Sequence, residues 1–154
     1  ALEVIEITGR PFSASLPRYE DVVPTVHIAL RCERRLLDLR INARARAMFE
    51  RGLVEEVETL VDQGIREGET APRAIGYAQA LAVIDGTMSV PEAVDSTALA
   101  TRQLASRQIK WFRRDPRVRW IDVELTEDGR CTDAERSRVT RQARELVLAV
   151  DGVA

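Results

Sequence analysis

The chain has 154 residues, 45% of them hydrophobic and 31% charged, with a formal net charge of −2. That is the composition of one ordinary globular domain with a core of its own, and it excludes disordered and collagen-like classes. No apolar run approaches the roughly 18 residues a membrane span needs, and the first residues, ALEVIEITGR, show no basic region leading into a hydrophobic core, so the expected location is the cytoplasm.

Residues Ala1 to Ile7 read as a helix that Gly9 and Pro11 stop, with no capping residue to begin it. A polar loop with Pro17 and Pro24 follows, then TVHIAL, Thr25 to Leu30, which is short, β-branched and bounded by turn residues as a buried strand is. From Glu33 to Glu50 apolar residues recur at spacings of three and four, predicting a helix that Gly52 breaks. Leu53 to Gln63 predicts a second, with Gly64 beyond its end.

IREGETAPR has no apolar period and predicts an ordered loop. Arg73 to Ile84 predicts a third helix interrupted by Gly76, and Ser89 with Pro91 marks the start of a long fourth that runs to about Arg114. Pro116 ends it. VRWIDV, Val118 to Val123, alternates as a second short strand, and Asp133 to Val150 predicts a final helix. Two strands rarely make a stable sheet alone, so they are expected to complete a sheet whose other members lie in sequence outside this chain.

Charge is unevenly distributed. Thr101 to Arg119 holds seven basic residues and one acid, a local +6 that leaves −8 for the rest of the chain. At about 100° per residue, Arg102, Gln103, Ser106, Arg107, Lys110, Arg113 and Arg114 share one arc, with Leu104, Ala105, Gln108, Ile109 and Phe112 opposite and Trp111 at the boundary. Two readings fit this pattern. In one the arginines cover the core and pair with the acids of the remainder. In the other the ridge contacts a nucleic-acid backbone, with Trp111 offering a stacking surface for a base and Phe112 holding the helix to the core.

Gly76 in RAIGY permits either close helix packing or the close approach of a ligand or RNA backbone. Arg40 and Arg44, four apart on a helix that follows a strand, suit a phosphate or diphosphate. The chain contains no GxxxxGK[ST] loop and no GxGxxG, and one histidine with two distant cysteines does not complete a metal site, so neither catalytic residues nor metal ligands are expected within it.

In order and spacing, ALEVIEITGRPFS, RINAR, MFERGLVEEV, RAIGYAQA and ATRQLASRQIKWFRR resemble the C-terminal half of bacterial tRNA dimethylallyltransferases, from Ala1 to about Val123. The resemblance implies an α/β fold: the helix-rich C-terminal half of a P-loop NTPase-like, nucleotide-binding architecture, residues 1–154 forming a single segment. It implies transfer of a dimethylallyl group from dimethylallyl diphosphate to N6 of the adenine 3′-adjacent to the anticodon of tRNA, with Mg²⁺. The phosphate loop and general base would lie in the N-terminal half, absent from this chain, and the complete enzyme would be a monomer without a membrane partner. Arg40 matches the family arginine near the diphosphate. Arg73, Ala74, Ile75, Gly76 and Tyr77 match one tRNA-contacting segment, and Ser106, Arg107, Gln108, Ile109, Lys110, Trp111, Phe112 and Arg113 match another. The sequence departs from some relatives at Ala78 and Ser106, where they carry a basic residue. A non-catalytic RNA-binding module and a nucleotide kinase remnant are the alternatives.

Overall fold

The computed structural model describes residues 2–9 and 19–151. Helix α1 spans Leu2–Thr8, and the Gly9 N–H returns to the Ile5 carbonyl at 2.8 Å, closing it where the glycine predicts. Most of the loop with Pro17 lies outside the described residues. Strand β1 is His27–Arg31, followed by α2 (Arg34–Glu50), α3 (Leu53–Val61), α4 (Tyr77–Ile84), α5 (Val90–Phe112), β2 (Val118–Asp122) and α6 (Asp133–Asp151).

β1 and β2 pair in parallel, His27 opposite Val118 and Arg31 opposite Asp122. Parallel strands need a long crossover, and here it is the whole helical run α2 to α5. The Val123 N–H extends the ladder to the Arg31 carbonyl at 2.8 Å. Ile121 of β2 is fully buried, whereas Leu30 of β1 is 57% exposed.

The largest core lies among the helices. Phe49 of α2, Leu53 and Val57 of α3, Ala80 and Leu81 of α4 and Ala93 of α5 form one cluster, and Ile41, Ala45 and Ala98 a second along the α2 and α5 contact. Small residues at Ala80, Ala93 and Ala98 let the helix axes approach, and a fully buried Val57 is worth about 1.5–3 kcal/mol relative to exposure.

Two boundaries differ from expectation. IREGETAPR is not a plain loop: it winds into two short 3-10 turns, Ile65–Glu67 and Ala71–Arg73. The third helix does not begin at Arg73; Ala74 is extended, and the helix starts at Tyr77 with Gly76 capping it at φ +98°. Gly76 therefore starts a helix and interrupts none. A Cβ there would sit 3.2 Å from Met48 Cε and 3.5 Å from Leu53 Cδ2, so close packing on the α2 and α3 junction explains the glycine. The Gln79 side chain accepts the Gly76 N–H at 2.8 Å, satisfying a donor no helix turn could serve.

Candidate nucleic-acid interface

Helix α5 is the frame. Pro91 occupies its first turn, and the Glu92 carboxylate reaches back to the Ser89 N–H at 2.8 Å, fixing the start that the sequence marks. Its 23 residues span about 34 Å. The first half is buried through Ala93, Thr97 and Ala98 against α2 and α4, and the second half runs along α2 toward the sheet.

The buried stripe of that second half differs from the predicted arc. Leu104 is 38% exposed and Gln108 is exposed, whereas Arg102 and Ser106 are half-buried against α2. The cause is polar contact from α2. Arg34 donates to Ser106 Oγ at 2.6 Å, and Arg102 donates to the Asn42 side chain. These bonds turn the helix so that Ala98, Arg102, Ala105, Ile109 and Phe112 face inward.

Among the described residues, the acids do not neutralise the ridge. Ion pairs engage His27, Arg31, Arg34, Arg35, Arg66, Arg117, Arg130, Arg136 and Arg138, and none engages Arg107, Lys110, Arg113 or Arg114. Trp111 stands among them 66% exposed, its ring edge-on to Phe112 with centroids 4.9 Å apart. Phe112 is half-buried at the wall of a cleft, short of the full burial expected of a core anchor.

That cleft, of about 540 Å³, is predominantly apolar: Ile28, Leu37, Ile109, Phe112 and Trp120 line it, with Arg40 at one side. Arg40 has no acid partner among the described residues. Burial pushes the neighbouring Cys32 thiol up, the charge of Arg40 drawing it the other way. Arg44, one turn further along α2, opens instead on a smaller cleft of about 200 Å³ that it shares with Ile75, Thr97 and Leu104. The two arginines line separate clefts.

Ile75 of the 73–77 segment and Leu104 of α5 both line that smaller cleft. Arg73, Ala74 and Ile75 are exposed, Gly76 is buried and Tyr77 half-buried. The Tyr77 hydroxyl donates to the Glu56 carboxylate, and that hydrogen bond raises its pKa. Ser106 is committed internally, accepting from Arg34 and donating to the Arg102 carbonyl at 3.0 Å. Arg40, Arg73 to Tyr77 and Ser106 to Arg113 are therefore all arranged around α2.

The model of the IPP transferase family matches residues 1–115. The chain belongs to that family. It is 52% identical over 122 residues to the tRNA dimethylallyltransferase of Pseudarthrobacter chlorophenolicus, covering 79% of this chain and 41% of that protein. It is 48% identical over 147 residues to the enzyme of the same name from Streptomyces coelicolor, covering 96% and 45%. Among solved structures, the tRNA isopentenylpyrophosphate transferase of Bacillus halodurans superposes with a TM-score of 0.69 at 31% identity, covering 99% of this chain and 45% of that one. The chain thus spans less than half the length of these relatives. Membership of the IPP transferase family agrees with the helix-rich α/β fold and with the resemblance read from RAIGY and the basic helix.

Sequence reasoning missed two residues that shape the site. Arg34 was indistinguishable from its neighbours Arg35 and Arg40, since only the fold brings it to Ser106. Gly129 sits in DG, a turn signal that could have been read. It is buried at φ +79°, closing a turn that lays Leu125 and Cys131 along the wall of the apolar cleft.

Proposed function

We propose that this chain is the tRNA-binding and diphosphate-binding part of a tRNA dimethylallyltransferase, which transfers a dimethylallyl group from dimethylallyl diphosphate to N6 of the adenine 3′-adjacent to the anticodon. One observation carries the reading: within a family of such transferases, the basic ridge of α5 has no acid partner among the described residues and stands beside an exposed tryptophan.

The chemistry assigned to this chain is positioning and charge stabilisation. Arg107, Lys110 and Arg113 meet RNA phosphates, and Trp111 offers a face to a base unstacked from the anticodon loop, which must leave the stack before its amine can react. The segment Arg73 to Tyr77, adjoining α5 at Ile75, contacts the tRNA around that extruded adenine. The apolar cleft suits a five-carbon prenyl tail, and the guanidinium of Arg40 at its side stabilises charge growing on the departing diphosphate. The N–C bond forms as the C–O bond to diphosphate breaks, and the amine proton passes to a base outside this chain.

Mg²⁺ belongs to this proposal as a partner of the diphosphate. Among the described residues no three His, Cys, Asp or Glu side chains come together as a metal site; the ligands of the ion are assigned to the N-terminal half of the enzyme, and no step here runs through it. The phosphate loop and general base are assigned to an N-terminal half of the same enzyme, monomeric when complete. No helix of the described residues is long and apolar enough to cross a membrane; a tRNA substrate assigns the enzyme to the cytoplasm.

The test is prenylation of tRNA by the intact enzyme carrying Arg40→Ala, or Trp111→Ala with Arg107→Ala. The first should lower kcat by roughly 10²- to 10³-fold with little change in tRNA affinity. The second should weaken tRNA binding by roughly tenfold or more, since stacking and a phosphate contact are both lost. Unchanged prenylation in both variants refutes the assignment.

A further inference from the structure

A second cleft, of about 380 Å³, opens where the end of β1 and the start of α2 meet the last turns of α5. Arg31, Arg34, Lys110 and Arg113 line it with Ser106 and Trp120, and no acid is in its lining. Two of the four cations are already held. Arg31 pairs with Asp122 through both its Nε and Nη2, and Arg34 pairs with Asp38 at 2.8 Å while its other nitrogens donate to Ser106 Oγ and, at 3.4 Å, to the Arg102 carbonyl. Lys110 and Arg113 have no partner among the described residues, and with Ser106 they occupy one face of α5 at spacings of four and three. The N-terminus of α2, 17 residues long, lies beside them; its N-cap residue Glu33 makes no side-chain cap hydrogen bond and its carboxylate is paired with Arg35 at 3.4 Å.

Fixed cations on one wall and unpaired ones on the other make a seat for a compact oxyanion. We propose that this cleft is a phosphate subsite, in which Lys110 and Arg113 grip a single phosphate group of the RNA backbone while Arg34 acts as a positioning residue, locking α5 at Ser106. The assignment to RNA rests on the reading of α5 as a tRNA-facing helix. A phosphate chemistry alone would also fit a diphosphate, but the cleft shares its helix with exposed Trp111 and unpaired Arg107 and Arg114, an array for a polymer with successive charges. The prenyl donor's diphosphate is assigned to Arg40, which lines the other cleft and not this one.

A shared phosphate has a signature that a row of independent surface cations lacks. Two side chains gripping one group are coupled, so removing either loses most of what removing both loses. In the intact enzyme, tRNA affinity is measured as a function of salt for Lys110→Ala, Arg113→Ala and the double variant, beside Arg107→Ala, Arg114→Ala and their double. The cleft pair should lose roughly tenfold singly and little more together, with the salt slope falling by about one unit in each case. The Arg107 and Arg114 losses should multiply. Multiplying losses at Lys110 and Arg113 overturn the subsite while leaving tRNA binding by α5 intact, and no loss in any variant overturns both. Inorganic pyrophosphate affinity, measured by calorimetry on the same variants, should not change; a coupled loss there without one for tRNA overturns the assignment to RNA.

Discussion

Replacing Gly129 by alanine should damage the wall of the Arg40 cleft through backbone geometry alone. Gly129 closes the turn from Thr126 to Arg130, its N–H donating to the Thr126 carbonyl at 2.7 Å while the Thr126 N–H meets the Arg130 carbonyl at 2.9 Å. Its φ of +79° lies in the left-handed region, which costs a residue with a Cβ about 1–2 kcal/mol. The added carbon would also lie 2.9 Å from the Leu36 carbonyl oxygen and 3.2 Å from the Arg40 nitrogen, both backbone atoms in α2 that cannot swing aside as a side chain can. Overpacking of this kind adds about 1–3 kcal/mol, so the total is about 2–5 kcal/mol. Gly86 supplies the control: it has φ +68° and nothing within 4 Å of an added Cβ, so Gly86→Ala should lose only about 1–2 kcal/mol. Urea denaturation of both variants, read as a change of midpoint at constant slope, separates the two contributions. Equal losses would show that the turn yields freely and that Gly129 does not brace the helix carrying Arg40.

Two further outcomes follow from other parts of the fold. Glu135, buried, accepts from the Arg138 guanidinium and from the Glu124 N–H, and these hydrogen bonds lower its pKa from 4.5 to about 2. Because the folded value is the depressed one, its stabilisation is complete above pH 4.5 and is lost as pH falls from there toward 2; Glu135→Gln should flatten the acid limb of a stability profile over that interval. Ile121→Ala, at a fully buried position of β2, should cost about 2–5 kcal/mol by thermal unfolding, and a cost under about 1 kcal/mol would mean that β2 is not packed as described.

Helices were legible because their apolar period and their stop signals agree: Gly9, Gly52 and Ser89 with Pro91 each mark an observed boundary. The start of α4 was misread because Arg73 to Ile84 has helical composition throughout, and only the contact of Gly76 with Met48 and Leu53 shows why the chain must bend at positive φ there. The basic helix was legible as a helix but not in its rotation. A wheel weighs side chains by type, and so it set Arg102 and Ser106 outward; a hydrogen bond from Arg34 to Ser106 and one from Arg102 to Asn42, partners far away in sequence, hold them inward. The site followed the same division. RAIGY and the α5 motif were identified as strings, whereas the separation of Arg40 from Arg44 into different clefts depends on what packs against each, which spacing along one helix does not contain.

The charge count along the chain also changes meaning in three dimensions. Seven basic residues between Thr101 and Arg119 gave a local +6, yet two of them serve the fold. Arg102 is turned in to Asn42, and Arg117 is held by Asp115 at 2.7 Å and Asp21 at 2.5 Å, an arrangement that lowers the Asp115 pKa to about 2, chiefly through the Arg117 hydrogen bond. The acid inside the segment is thus spent on the arginine beyond Pro116, not on the ridge before it. Had Asp115 faced Arg113 or Arg114, it would have cancelled part of the charge at the end of α5. α5 ends at Phe112, and the turn at Pro116 sends Arg117 back over Asp115, a local geometry that leaves Arg107, Lys110, Arg113 and Arg114 without an acid partner among the described residues. What distinguishes the ridge from an ordinary cationic face is therefore less the number of its charges than the removal of the nearest acid from their reach.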